Sequence, residues 1–279
     1  MRRNFAQILK SGKVDYKKEY KKLYELLFIT KVKNVRGISS TLHEIFAQSF
    51  IWFYFRGICL SLKEFDEKYG FIFPGPESED LKMDDLILLM EYFYNMLQGY
   101  NFAYAPNDDT RISTDALMSH IIQVCESIGY KKESEDDFTI FVEENTVATA
   151  VAESDLIPDD LSYKLITYDH HSMRGNLEAK KAILIRLAGI LEGQEQKLLR
   201  VNSSFKKDLF YIFNNFNIRH NNCNSQYKDY KPVIANMDKQ ELENWYDETY
   251  QMCLLAFMEL EQADRKPKFD AIKAKIEKK

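Results

Sequence analysis

Apolar positions recur every three or four residues along most of the chain, with polar ones between, and that period predicts helices. Tyr16, Tyr20, Leu23, Tyr24, Leu27 and Phe28 follow it with lysines interleaved, and Asp15 stands where an N-cap belongs. Thr41 and Glu44 form a capping-box pattern that opens an aromatic helix expected to run to about Lys63. A turn-rich loop from Phe73 to Asp80 leads to a helix through Leu86, Leu89, Met90, Phe93 and Leu97. Asn107-Asp108-Asp109-Thr110 breaks the chain again, and a helix with Leu117, Ile121, Ile122, Val124 and Ile128 ends at Gly129.

The period then changes. Phe138-Thr-Ile-Phe-Val142 is β-branched and aromatic, Glu143-Glu144-Asn145 reads as a turn, and Thr146 to Val151 is the expected partner strand. Being Ala-rich, that second run could instead start a helix. From Pro158 the helical spacing returns, with a long helix from about Asn176 to Leu199 and another capped by Ser203 or Ser204. Asp238 and Glu241 cap a last helix holding Leu242, Trp245, Tyr246, Tyr250, Leu254, Phe257 and Leu260; the Lys-rich tail beyond Lys266 reads as a short, solvated or frayed helix. The pattern therefore predicts a mainly α, multi-helix bundle with a small β-hairpin near 138–151. It divides into a helical N-terminal region (1–155) and a helical bundle (156–279), with Pro158 near the boundary.

Composition supports a folded chain: of 279 residues 45% are hydrophobic and 14% aromatic, too many to stay disordered, while 10 Gly and 6 Pro favour long helices. Polar residues interrupt the most apolar run, Ile45–Leu62, so it reads as a buried helix and not a membrane span. The opening Met-Arg-Arg-Asn-Phe-Ala-Gln lacks the apolar core of a secretory signal. Cys59, Cys125, Cys223 and Cys253 match no disulfide framework and read as free thiols, which makes the cytoplasm the expected compartment. Charge is uneven: residues 1–36 balance at +8, residues 64–160 at −18 and residues 161–279 at +4. Either the opposed regions face one another, within the fold or across a dimer, or the basic parts meet phosphate.

Phosphate-loop, nucleophile-elbow, HExxH and paired CxxC motifs are absent from the sequence, which removes P-loop hydrolysis, α/β-hydrolase chemistry and ordinary zinc sites. His170 and His171 are adjacent, and on a helix neighbours point about 100° apart, so a solvated helix-end cluster is expected there. His220 and Cys223 supply only half of a metal-ligand spacing, so no metal and no cofactor is expected. The segment from Asn214 to Asn224 stands out: six of its eleven residues are Asn, beside Arg219 and His220, with no carboxylate. Asn suits a helix stop and turn. The same loop also gathers a guanidinium fork suited to phosphate, an imidazole suited to proton transfer, and amides able to hold hydroxyl or phosphate oxygens.

The order Met173-Arg174-Gly175-Asn176-Leu177-Glu178-Ala179-Lys180-Lys181, Leu191-Glu192, Phe213 to Asn221, then Trp245-Tyr246-Asp247-Glu248-Thr249-Tyr250 resembles a bacterial family related to the HEPN superfamily, abortive-infection proteins of the AbiJ type among them. Arg3-Asn4-Phe5-Ala6 and Phe141-Val142-Glu143-Glu144-Asn145 are similar to that family too, and the HEPN-like part spans roughly residues 160–265. The resemblance implies a dimerising helical bundle that cleaves RNA without metal in phage defence or stress, with RNA, a second copy and a partner protein of the same operon as partners. It implies Arg219 on the scissile phosphate with His220 beside it; the loop's own amides add Asn215, Asn221 and Asn222 as substrate-orienting residues, with Tyr246 and Asp247 as supporting residues behind them. The HEPN pattern places a further His about five to seven positions after the Arg, whereas here Asn224, Ser225 and Gln226 follow. Two expectations therefore stand: His220 is the base, or the chain is a non-catalytic helical module that binds RNA, nucleotide or protein.

Overall fold

The computed structural model describes residues 14–33, 39–103 and 114–277. The described residues are mainly α-helical, with two small antiparallel two-stranded sheets among them. Among the described residues no helix is long and apolar enough to cross a membrane. The chain divides into two compact units, residues 1–144 and 145–279. Expectations that fall on Arg3–Ala6 and Asn107–Thr110 lie outside the described residues.

In the N-terminal unit, α1 (Tyr16–Tyr24) begins where Asp15 accepts hydrogen bonds from the backbone of Lys17 and Lys18, and a π-helical turn, Glu25–Ile29, extends it. Strands β1 (Lys31–Lys33) and β2 (Ser39–Thr41) pair antiparallel. The Thr41–Glu44 capping box opens α2 (Leu42–Ser49). The aromatic run does not continue as one helix to Lys63: it passes through a single 3-10 turn, Phe50–Trp52, and is irregular until α3 (Leu62–Tyr69). The cause is packing. Phe53 and Phe55 both press on one spot of α4 (Met83–Ala103), where a Cβ on Gly99 would fall 2.7 Å from each ring. Residues two apart share a face only in extended chain, so the helix must end first.

Helix α4 is buried on nearly every side and also completes the hairpin edge. The Asn95 side chain accepts from the Thr139 N–H at 2.9 Å and donates to its carbonyl at 2.8 Å, while Glu91 accepts from the Phe141 N–H at 2.7 Å. Those bonds satisfy strand groups that have no ladder partner. α5 (Asp115–Ser127) ends before Gly129, whose φ of +82° suits glycine. The hairpin exists, but its partner strand differs from the expected one. β3 (Tyr130–Glu135) pairs with β4 (Phe138–Glu143) across Asp136-Asp137, and Asp136 takes φ +52°. The polar sequence of β3 hid it from a hydrophobicity reading. The run expected to be the second strand is a helix, α6 (Thr146–Ala152), because Asn145 caps it by accepting from the Ala148 N–H at 2.9 Å.

The C-terminal unit comprises α6, α7 (Asp159–Ile166), α8 (Leu177–Gly193), α9 (Glu195–Val201), α10 (Ser203–Asn215), α11 (Pro232–Ala235) and α12 (Lys239–Glu277). Its aliphatic core joins Leu161, Leu184, Leu187 and Leu191 to Leu254, Phe257 and Leu260 of α12. The helix expected over Asn176–Leu199 is interrupted at Gln194, next to Gly193. Asn202, and neither serine, caps α10, accepting from the Phe205 N–H at 3.2 Å. The Lys-rich tail is not a separate frayed piece: it continues α12 through Pro267 to Glu277.

Candidate functional site

The Asn-rich loop begins where α10 stops. Asn217 takes a left-handed φ of +57°, and the Arg219 N–H closes back on the Phe213 carbonyl at 3.0 Å. Asn tolerates that conformation better than most residues, so the turn is written into the residue type. Ile218 is buried, Phe216 packs on Trp245 with ring centroids 4.9 Å apart, and the Asn217 side chain meets the hydroxyl of buried Tyr246. Burial pushes that phenol up to about 12, against the hydrogen bond from Asn217.

Asn222 is fully buried and sews the loop together. Its Oδ1 accepts from the Asn217 N–H at 2.7 Å, and its Nδ2 donates to the carbonyls of Asp229 at 2.7 Å and Asn214 at 3.2 Å. Its own carbonyl accepts from the Lys231 N–H at 2.8 Å. A buried amide with each polar group satisfied is a structural element, and here it shapes the backbone that carries Arg219 and His220. Asn215 donates to the Tyr211 carbonyl on its own helix at 2.8 Å, whereas Asn221 is exposed.

Arg219 and His220 are both exposed. The sequence segment holds no carboxylate, but the fold supplies two. Glu192, near the end of α8, pairs with the Arg219 guanidinium, and Asp229, farther along the loop, sets Oδ2 3.6 Å from His220 Nδ1. At that distance the contact is electrostatic and not a hydrogen bond. An arginine carries five N–H donors, so one carboxylate leaves others for an incoming anion. An imidazole with a carboxylate behind one nitrogen can take a proton on the other.

Asp247 was expected behind this loop and instead serves a different group. Buried Lys180, on α8, donates from Nζ to Glu243 Oε1 at 2.7 Å and to Asp247 Oδ1 and Oδ2 at 2.7 and 3.0 Å. The same ammonium lies 5.4 Å from the Tyr168 ring, which stacks on Tyr250 at 3.9 Å. Tyr250 donates to the Leu165 carbonyl at 2.7 Å. Burial opposes the charge on Glu243, but the Lys180 bond, the Gly175 N–H and the charges of Lys180 and Arg174 outweigh it and hold the carboxyl below its ordinary range. Burial and the charge of Asp247 push Asp169 upward, against the Asn145 hydrogen bond and the charges of Lys180 and Arg174. This cluster was missed in the sequence. Its signal was there: Glu243 and Asp247 stand four apart on a helix face that buried tyrosines share, and such a pair requires a cation.

His170 and His171 also depart from expectation. They sit at a 3-10 turn, His171–Met173, with His170 extended, and their rings approach to 4.2 Å. The 100° separation of helical neighbours therefore does not apply, and His170 is buried with Nδ1 2.7 Å from Ser172 Oγ. All four cysteines are free thiols, Cys223 alone among them exposed.

No protein-family model, curated protein or solved structure matches the chain.

Proposed function

We propose that the Arg219–His220 loop cleaves RNA, and that the protein is a metal-independent endoribonuclease of the bacterial phage-defence or stress type, HEPN-like over roughly residues 160–265. In this reading it works in the cytoplasm as a homodimer, together with a partner protein of the same operon. The observation that carries it is the placement of two exposed side chains of complementary chemistry, side by side on a loop that Asn222 holds in shape. His220 takes the proton of the 2′-hydroxyl, whose oxygen bonds to the adjacent phosphorus. The bond to the 5′-oxygen breaks, and that oxygen leaves as a hydroxyl with a proton from water, while protonated His220 returns its own proton to solvent. Arg219 stabilises the charge that develops on the phosphoryl oxygens. Asn221 is exposed beside the pair and suited to orient the substrate, and Asn222 acts through the backbone.

A second reading, a non-catalytic module that binds RNA, nucleotide or another protein, is favoured by the pairing of Arg219 with Glu192 and by the docking of the loop on Trp245 and Tyr246. Expression of wild type, Arg219→Ala and His220→Ala in a bacterial host separates the two. Growth arrest with fragmented total RNA in the wild type alone is the result expected of the nuclease. Equal growth and intact RNA in all three is the result expected of the module.

A further inference from the structure

Helix α12 outruns the unit it belongs to. Its buried residues stop at Leu260, and from Asp264 to Glu277 every residue is exposed. Three large apolar side chains stand on this projecting part, Phe269, Ile272 and Ile276, at 58%, 49% and 70% exposure. At about 100° per residue they fall within about 60° of one another, on a single narrow stripe. A helix extended only into solvent has no use for such a stripe, because each of its side chains costs free energy in water.

Cations border the stripe on both sides. Lys266 and Lys273 stand about 40–60° beyond Phe269, and Lys268 and Lys275 as far beyond Ile272. The Lys273 ammonium lies 4.9 Å from the centre of the Phe269 ring. Arg265 is committed to Glu261, one turn back, at 2.7 Å. The two carboxylates of the segment, Asp270 and Glu277, sit outside the lysines, about 80–100° from Phe269. Arg265–Glu277 thus carries five cations against two carboxylates, and Lys278 and Lys279 follow in sequence.

We propose that this stretch lies on an anionic lipid surface, with Phe269, Ile272 and Ile276 in the headgroup boundary and the four lysines reaching lipid phosphates on either side. Lysine stems run along apolar surface while their ammonium groups stay in the polar layer, so cations on both flanks of a narrow stripe match a planar boundary. Two other occupants fit less well. A second copy would set lysine against lysine on both flanks. The apolar spacing also breaks at Gln262 and Arg265, which leaves a seam shorter than the roughly three heptads a coiled coil needs. Nucleic acid would pair with the cations but gives the isoleucines nothing to bury against. Buried residues from Glu243 to Leu260 fix the rest of α12 in its unit, so the helix is formed before it meets lipid and binding does not have to order it. The surface contains neither Arg219 nor His220, and vesicle binding reads it independently of RNA cleavage.

The test is flotation of the full chain with vesicles of phosphatidylcholine and phosphatidylglycerol in equal parts, and with vesicles of phosphatidylcholine alone. Wild type should float with the anionic vesicles and stay behind with the neutral ones. Phe269→Glu/Ile272→Glu should stay behind with both, at an unchanged circular dichroism spectrum, since both residues are exposed. Lys268→Gln/Lys275→Gln should weaken binding to the anionic vesicles by roughly fivefold per lysine. Wild type that ignores the anionic vesicles, or floats equally with both kinds, would overturn the proposal, as would flotation indifferent to Phe269→Glu/Ile272→Glu. A wild type that binds polyuridine or pairs in sedimentation velocity through Phe269 and Ile272, and binds no vesicle, would assign the stripe to that partner instead.

Discussion

Lys180 and Arg219 both face carboxylates in the C-terminal unit, and the fold treats them in opposite ways. Lys180 is 4% exposed, held by Glu243 and Asp247, and covered by a tyrosine ring. Arg219 is exposed and meets a single carboxylate. A buried charge stranded without partners is expensive, so every group around Lys180 is committed to holding α8 against α12. An exposed pair is worth little and exchanges readily with solvent or an anion. The contrast separates the part of the unit that is built to stay from the part that is free to bind.

The largest effect tests the committed side. Lys180→Met leaves buried Glu243 without its cation beside the half-exposed Asp247 and should cost about 3–5 kcal/mol in urea unfolding. A loss under about 1 kcal/mol would mean that water reaches the cluster and that the contrast is false. Next comes Asn222→Ala, which strands a buried N–H and two carbonyls and should cost about 1–3 kcal/mol. Because those bonds shape the loop, RNA cleavage should fall with it although Asn222 touches no substrate. Glu192→Gln should be the mildest for stability, within about 1 kcal/mol by the same unfolding measurement. By freeing the guanidinium it should tighten RNA binding.

Acid titration sharpens the comparison through sign. Glu243 is depressed in the folded state, so its contribution is full above the ordinary carboxylate range and is lost as pH falls through its folded value. Asp169 is raised, so stability declines as pH climbs from its ordinary value through its folded one. Asp169→Asn should therefore stabilise at neutral pH and make no difference below about pH 4. Glu243→Gln should flatten the acid limb of the stability profile.

Much of the fold was legible because local signals and tertiary packing agree. The Asp15 cap, the Thr41–Glu44 box and the buried spacing Tyr246, Tyr250, Leu254, Phe257 in α12 all stand where the pattern put them. The pattern misled where packing overrode periodicity. Phe53 and Phe55 leave the helix to meet Gly99, and a polar strand, Tyr130–Glu135, pairs with Phe138–Glu143, whose other edge is completed by side chains of α4. At the site, the loop could be read from its Asn content and its Arg-His pair. Its carboxylates could not: Glu192 belongs to another helix, and Asp229 is reached by folding the loop around Asn222. Lys180 was invisible as a site because a lysine on a helix ordinarily faces water, and only the acid pair on α12 marks it as buried.

The most direct test of the central claim uses purified chain on a short RNA and on the same strand with 2′-deoxy sugars. Wild type should cut the RNA alone, leaving a 2′,3′-cyclic phosphate and a 5′-hydroxyl, and folded His220→Ala should leave it whole. Cleavage of both strands, or cleavage by His220→Ala at the wild-type rate, would contradict the account.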